Sequence, residues 1–325
     1  MMRAVVILSL AALLAGCDTL AYYGQAIRGH LGIMTAARPV EDLLADPATP
    51  PTLRERLQAA QGIRAFAARS LGLPDNRSYT SYTDLGRPFP VWNVFATDEF
   101  SVKPRQHCFP VTGCVSYRGF FSEQAARQYA ESLRAQGYDV HVGGVPAYST
   151  LGYFDDPLLS SFIGYPDTQL ARLLFHELAH QLVYARNDTT FNESFATVVE
   201  EEGVRRWLEG EGRMADLEGF RAAQARRRAF AQKVKALRDE LAALYGSGAS
   251  PQDMRARKAE AFARLRAEYP VTVPAQPSNA FLAAVGAYTE KVPQFEALLR
   301  ESGSLPAFYE RVRELARTTA GRPPS

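Results

Sequence analysis

The segment His176-Glu177-Leu178-Ala179-His180 has the residue types and spacing of a metal-dependent hydrolase site. In an α-helix, residues four positions apart lie on one face, so the imidazoles of His176 and His180 can bind a single ion. Glu177 lies at the edge of that face, where its carboxylate can take a proton from a water molecule without binding the ion itself. The pattern therefore predicts a zinc site with Glu177 as the general base.

The residues around these histidines are too apolar for a solvated helix. The chain has only five histidines, and a random His-Glu-x-x-His pattern is expected in roughly one such sequence in two hundred. Glu177 is the only charged residue from Leu173 through Leu182, which is the composition of a buried helix. These observations favour a metal site over two histidines that simply pack in a core.

A catalytic zinc site needs a third protein ligand and leaves a fourth position for water or substrate. Metzincins have glycine and histidine three and six residues after the second histidine, where this chain has Val183 and Arg186. Gluzincins take a glutamate from a following helix, and the element Asn192-Glu193-Ser194-Phe195-Ala196 resembles theirs. We therefore predict that Glu193 is the third ligand.

Other acidic positions compete with Glu193 for this role. Asp188 lies in a polar turn after the metal helix, and such turns contain polar residues without binding a metal. The run Glu200-Glu201-Glu202 has the composition of a solvated helix face. Glu193 follows His180 by thirteen positions, a shorter separation than in thermolysin-like enzymes, so both alternatives stay open.

Five segments together resemble the putative aminopeptidase family of bacterial lipoproteins. They are Leu73–Asn76, Val91–Ala96, Tyr148–Gly152, His176–His180 and Asn192–Ala196. The resemblance extends from about Tyr22 to Ala316. It implies a zincin-like fold and zinc-dependent hydrolysis of a peptide substrate, and the family name suggests aminopeptidase action.

The resemblance to zincins implies two further parts of the site. In zincins an edge strand before the metal helix commonly pairs with an extended substrate, and we expect this of Val145–Tyr153. The alternative is a buried strand. Gluzincins often use a residue after the third ligand to stabilise the oxyanion, and Tyr288 is the candidate. The alternative is a tyrosine that packs in the core.

The first residues predict a location at the bacterial cell envelope. Arg3 precedes an apolar run that ends at Leu14, and this run of roughly eleven residues is shorter than the ~20 needed to cross a bilayer. Leu14-Ala15-Gly16-Cys17 resembles the lipobox of bacterial lipoproteins, in which acyl chains anchor the cysteine. We expect residues 1–16 to be a signal peptide and Cys17 to attach the protein to a membrane on the periplasmic side.

The remaining cysteines and the net charge of the chain support two further predictions. Cys108 and Cys114 are predicted to form one disulfide in an oxidising compartment, with two free thiols as the alternative. A net charge of +2 with interspersed signs predicts no nucleic-acid partner. Asp18 follows the lipobox cysteine and resembles an inner-membrane retention signal of enteric bacteria, but the sequence leaves the choice of membrane open.

The elements that hold the metal helix are predicted to form a mainly helical α+β fold with a small mixed sheet. Val91–Phe95 and Tyr138–Val142 are the candidate strands, and a helix between them begins after Ser122 and ends near Gly137. His30, His107 and His141 lack ligand spacing and are predicted to be structural or exposed. The predicted divisions are a helical lead-in over 17–73, the catalytic core over 74–216, a helical hairpin over 217–269, and a C-terminal helical part of the catalytic domain over 270–325.

A second class of function is also compatible with the sequence. A lipoprotein binding or assembly factor could keep the zinc for structure and use the helical hairpin as its contact surface. Glu177 argues against this alternative, because a structural site has no use for a base and usually has four protein ligands.

Overall fold

The structure, a computed structural model, describes residues 22–109 and 113–319. The protein is mainly helical with small sheets, in agreement with the predicted α+β class. The predicted signal peptide and the lipidation site at Cys17 lie outside the described residues. Within the described ranges, no helix combines the length and the apolar character needed to cross a bilayer.

The described part of the chain contains eleven helices. They are α1 (22–35), α2 (Val40–Ala45), α3 (Pro51–Leu71), α4 (Glu123–Ala135), α5 (Asp167–Leu182), α6 (Thr189–Gly210), α7 (Met214–Tyr245), α8 (Pro251–Glu268), α9 (Asn279–Thr289), α10 (Val292–Ser302) and α11 (Leu305–Thr319). The region predicted as a helical lead-in thus contains two long helices, α1 and α3. The region predicted as a helical hairpin contains α7 and α8.

Eight short strands form three small sheets. The strands are β1 (Arg38–Pro39), β2 (Ser81–Thr83), β3 (Val91–Thr97), β4 (His107–Phe109), β5 (Gly113–Val115), β6 (Arg118–Phe120), β7 (Asp139–Val145) and β8 (Leu158–Leu159). β3 lies between β6 and β7 and pairs antiparallel with both, with Val94 opposite Arg118 and Val142. β2 pairs antiparallel with β1 and parallel with β8, so this sheet is mixed. β4 and β5 form a hairpin.

The capping residues visible in the sequence set several helix ends. The Ser122 side chain accepts a hydrogen bond from the Ala125 N–H at the start of α4, and Ser250 does the same for Asp253 at the start of α8. Pro251 occupies the first turn of α8, where the missing N–H costs nothing. α3 ends at Gly72, whose φ of 65° is a left-handed conformation that glycine adopts readily.

The predicted strand over Val145–Tyr153 is wrong. β7 ends at Val145, and residues 146–153 form an irregular loop. Pro146 has no N–H to donate to a ladder, and Leu151 and Gly152 have φ values of 57° and 80°, which do not fit a strand. The Thr150 N–H donates instead to the Asp156 carboxylate at 2.9 Å, which closes the loop on itself.

The metal helix α5 is held by the largest hydrophobic core. Its residues Leu170, Leu174 and Leu178 are almost completely buried and belong to the same cluster as apolar residues of α3 and α6. α6 approaches α5 closely at Gly203, where a Cβ atom would lie 2.7 Å from the Phe175 ring. The apolar faces of α5 and α6 are therefore fixed against the core, and the metal-binding face of α5 is left to line a cleft.

Candidate metal centre

Helices α5 and α6 bring the three predicted ligands together. A short turn joins the two helices, and the Asn192 side chain fixes it by accepting from the Ala185 N–H at 2.7 Å and donating to the Ala185 carbonyl at 2.8 Å. Asn187 adopts a φ of 68° within the turn, a conformation that asparagine tolerates. The thirteen positions between His180 and Glu193 are therefore enough for α6 to return beside α5.

The ligand atoms converge on one point. The Nε2 atoms of His176 and His180 are 3.1 Å apart, and the Glu193 Oε2 lies 3.2 Å from the first and 3.7 Å from the second. Zinc bonds of about 2.0–2.2 Å in a tetrahedron place neighbouring ligand atoms about 3.3 Å apart. These residues form a group that could hold a metal ion, and both the donor types and the distances fit a tetrahedral ion.

Glu200 contacts the first histidine from behind. Its Oε2 lies 3.0 Å from the His176 Nδ1, and its Oε1 accepts from the Arg172 Nε at 2.6 Å. Burial would raise the pKa of Glu200, but Arg172 and His176 outweigh that effect and lower the pKa. When a carboxylate accepts a hydrogen bond from the Nδ1–H of a histidine, the Nε2 atom keeps its lone pair, which here points at the metal position. Glu200 therefore orients His176 in this structure and lies outside the group of candidate ligands.

Asp188, the other candidate ligand, is occupied elsewhere. Its side chain accepts from the Phe191 N–H at 2.8 Å and so caps the N-terminus of α6. The Lys291 ammonium binds the second carboxylate oxygen. Both oxygens of Asp188 thus have partners, which explains why the residue is buried without facing the histidines.

Charge at the centre favours a bound cation. Burial would raise the pKa of Glu193, but the neighbouring His180 and the hydrogen bond from His176 lower it to about 2. Burial would lower the pKa of His176, but hydrogen bonds to Glu193 and Glu200 raise it to about 10. The two carboxylates thus stabilise a positive charge at this ring, which either a proton or a divalent ion in its place can supply. A site that collects anionic carboxylates around two imidazoles has the charge and the donor atoms that a divalent ion needs.

Glu177 lines the cleft beside these ligands. Burial raises its pKa, and the two neighbouring histidines oppose this rise. Within residues 22–109 and 113–319, no side chain or backbone group makes a hydrogen bond to its carboxylate. The carboxylate is therefore available to a water molecule or a substrate.

Tyrosines from three regions approach Glu193. Tyr288 on α9, Tyr117 between β5 and β6, and Tyr184 after α5 all line the cleft. The Glu193 charge and burial hold the pKa of Tyr288 well above its usual value, so its phenol keeps its proton and remains a donor. Tyr288 was predicted as a site residue from the sequence. Tyr117 and Tyr184 were not, since neither belongs to a motif.

The centre opens into a cleft of about 1470 Å³. The sheet contributes Val91 and Asn93 to one wall, and α5, α6 and α7 form the others. Tyr22 and Tyr23 of α1 also border the cleft, and so do Pro146 to Leu151 of the loop that replaces the predicted strand. That loop therefore borders the site but offers no strand for a substrate to pair with.

The family described as "Putative aminopeptidase" has a sequence profile that matches residues 21–323. This chain belongs to the putative aminopeptidase family. No curated protein and no solved structure matches it. Because the match covers almost the whole chain, the cleft and the helices that carry the candidate ligands lie within the region that the family profile describes.

The disulfide of this putative aminopeptidase supports the metal centre indirectly. Cys108 and Cys114 are joined across the β4–β5 hairpin. The Cys114 N–H donates to the Asn187 side chain at 2.8 Å, in the turn between α5 and α6. At Gly113 a Cβ atom would lie 2.4 Å from the same side-chain oxygen. The hairpin therefore braces the turn that brings Glu193 to the histidines.

The other histidines of this putative aminopeptidase lie outside the ligand group. The His30 Nδ1 lies 3.0 Å from the Tyr148 hydroxyl. Burial lowers the pKa of both His107 and His141 to about 4, so both rings are neutral near pH 7. This placement agrees with their predicted structural roles.

Proposed function

We propose that the protein is a zinc-dependent peptidase. The observation that carries the proposal is the convergence of the His176, His180 and Glu193 ligand atoms beside a carboxylate, Glu177, that has no hydrogen-bond partner among the described residues. Zinc bound by the three ligands would polarise a scissile carbonyl and lower the pKa of water. A structural site would have no need of the free carboxylate.

Three residues of the chain have separate tasks in this proposal. Glu177 takes a proton from the attacking water and delivers it to the leaving amine. Tyr288 donates its phenolic O–H to the oxygen that gains negative charge in the transition state. Glu200 keeps His176 in the tautomer and orientation that the ligand set requires.

The shape of the cleft supports a peptide substrate. Its volume of about 1470 Å³ exceeds the roughly 300–1,000 Å³ of sites for small ligands. Apolar and aromatic residues of the sheet and α1 line one region, and charged residues of α7 line another. An extended peptide could place apolar and charged side chains in these two regions at once.

Metal analysis combined with peptide turnover tests the proposal. We expect the purified protein to contain one equivalent of zinc, to hydrolyse members of a peptide library, and to lose this activity with a chelator. Comparing free with N-acetylated peptides decides whether the protein acts as the aminopeptidase that its family name suggests. Full zinc occupancy without turnover would favour the binding or assembly alternative.

Tyr288→Phe should lower kcat by about 10²-fold, the scale seen when one oxyanion donor is removed. The aromatic ring remains, so zinc content and KM should change little. Tyr165→Phe is the matched control, because Tyr165 also lines the cleft but precedes α5, eleven residues before His176. Equal rates for Tyr288→Phe and the wild type would exclude Tyr288 from the reaction.

We also propose that acyl chains on Cys17 hold the protein at a membrane surface on the periplasmic side. Several acyl chains anchor a protein far more firmly than one. Cys17→Ser should therefore move the protein from the membrane fraction to the soluble fraction of lysed cells. Asp18→Ser keeps the cysteine and should stay with membranes, although it can move from one membrane to the other. Membrane retention of Cys17→Ser would contradict lipid anchoring.

A further inference from the structure

One of the cations that line the cleft has no carboxylate partner among residues 22–109 and 113–319. Four of the lining cations form ion pairs: Arg172 with Glu200, Arg228 with Glu201 and Glu296, Lys235 with Asp239, and Arg238 with Glu290. Arg227 is the exception among the described residues, since no carboxylate lies within 4.0 Å of its guanidinium. Its guanidinium carbon lies 5.9 Å from the centre of the Phe220 ring.

Among the described residues, all but one of the glutamates that line the cleft have a positively charged or histidine partner. Glu193 faces the histidines, and the arginines already named bind the remaining glutamates that line the cleft. Only Glu177 has no ion-pair partner among the described lining residues. The cleft thus presents two unpaired charges, the proposed base and the Arg227 cation.

Arg227 lies on a face of α7 that lines the cleft. The lining residues Arg227, Ala231, Val234 and Arg238 follow helical spacing along this face. The Arg227 side chain is exposed and lines the cleft. Partial desolvation lowers its pKa, the Arg172 charge lowers it further, and Glu200 opposes both. Arg172 and Glu200 belong to the hydrogen-bond network of His176, so the unpaired cation lies on that side of the metal position.

We propose that Arg227 binds a carboxylate of the substrate and so gives the peptidase a preference for carboxylate-bearing peptides. The inference rests on the proposed peptidase function. A guanidinium offers a planar pair of N–H donors that matches a carboxylate, and nothing in the described chain already uses it. An extended peptide that lies along the cleft could place such a carboxylate at Arg227 while its scissile bond lies at the metal position.

A carboxylate at this position has two chemical sources. It is either the side chain of Asp or Glu within a longer peptide, or the free C-terminus of a short one. Three kinds of matched substrate separate these sources. They are an alanine tetrapeptide amide, the same peptide with a free C-terminus, and a series of the amides in which a single glutamate replaces the alanine at each position in turn. The neutral amide gives the reference kcat/KM.

Arg227→Gln removes the charge from the cleft, and Arg226→Gln removes a neighbouring charge on α7 that does not line it. The wild type and Arg226→Gln should prefer a carboxylate-bearing peptide by about fivefold, the scale of a partly solvated ion pair. Arg227→Gln should lose this preference and keep the reference kcat/KM for the neutral amide. Arg227→Lys retains the charge without the planar donors and should keep only part of the preference.

The outcomes separate the two proposals. A wild type that cleaves all three substrates equally, or an Arg227→Gln variant that keeps the preference, overturns the role of Arg227 but leaves the peptidase intact. Zinc-loaded protein that cleaves none of the peptides overturns the peptidase and the carboxylate site together. A preference that disappears equally in Arg226→Gln would show a long-range field effect and would also overturn the site.

Discussion

Glu177→Gln should keep one equivalent of zinc and lose at least about 10²-fold in kcat, the usual scale for removing a general base. The amide has nearly the shape of the carboxylate but cannot accept a proton from water. Glu177 is outside the ligand group, and its carboxylate has no hydrogen bond to the described residues. Neither metal binding nor folding should therefore depend on its charge.

Zinc content, thermal unfolding and peptide turnover should be measured on the same preparation. Glu202→Gln is the matched control, because it removes a carboxylate from α6 that pairs with Arg205 and Arg206 outside the cleft. The control should have wild-type kcat. Wild-type turnover by Glu177→Gln would contradict the proposed mechanism, whereas a loss of zinc would mean that Glu177 is a ligand.

Glu193→Ala should weaken zinc binding by more than about 100-fold, because losing even a residue that orients a ligand costs about 10- to 100-fold. Two imidazoles alone leave the ion two positions to fill from water, whereas the carboxylate supplies a bond and a compensating charge. Its Oε2 lies 3.2 Å and 3.7 Å from the two imidazole Nε2 atoms. Competition with a chromophoric chelator measures the affinity.

Asp188→Ala separates the metal site from the stability of the fold. Asp188 caps α6 and binds Lys291, so its loss should cost about 1 kcal/mol in the free energy of unfolding, as for other N-caps. Zinc affinity should remain near that of the wild type. If Glu193→Ala keeps its zinc while Asp188→Ala or Glu200→Ala loses it, the third ligand has been assigned wrongly.

Local patterns in the sequence predicted much of the secondary structure that surrounds the site. The apolar run through His176-Glu177-Leu178-Ala179-His180 predicted a helix, and α5 spans it. Ser122 predicted the start of α4 correctly, because a capping hydrogen bond joins residues only three positions apart. Such features depend on near neighbours in the chain and can therefore be found without a fold.

The strand predicted over Val145–Tyr153 is wrong because a strand depends on a partner that a distant part of the chain must supply. Its apolar residues are compatible with a strand, but Pro146 and the left-handed Leu151 and Gly152 interrupt any ladder. The Asp156 carboxylate stabilises the loop by accepting from Thr150. The strand was expected from the resemblance to zincins, and a resemblance of this kind does not show whether a partner strand is present in this chain.

The sequence by itself determined the helix of the proposed metal site, its two histidines and the proposed base, because their spacing is fixed by the geometry of one helix. It favoured Glu193 as the third ligand but left Glu200 open, and these two residues lie seven positions apart on the same face of α6. Only the packing of α6 against α5 placed Glu193 at the Nε2 atoms and Glu200 at the Nδ1 atom. The unpaired charge of Arg227 is likewise a tertiary property, because ion pairs form between side chains that different elements bring together.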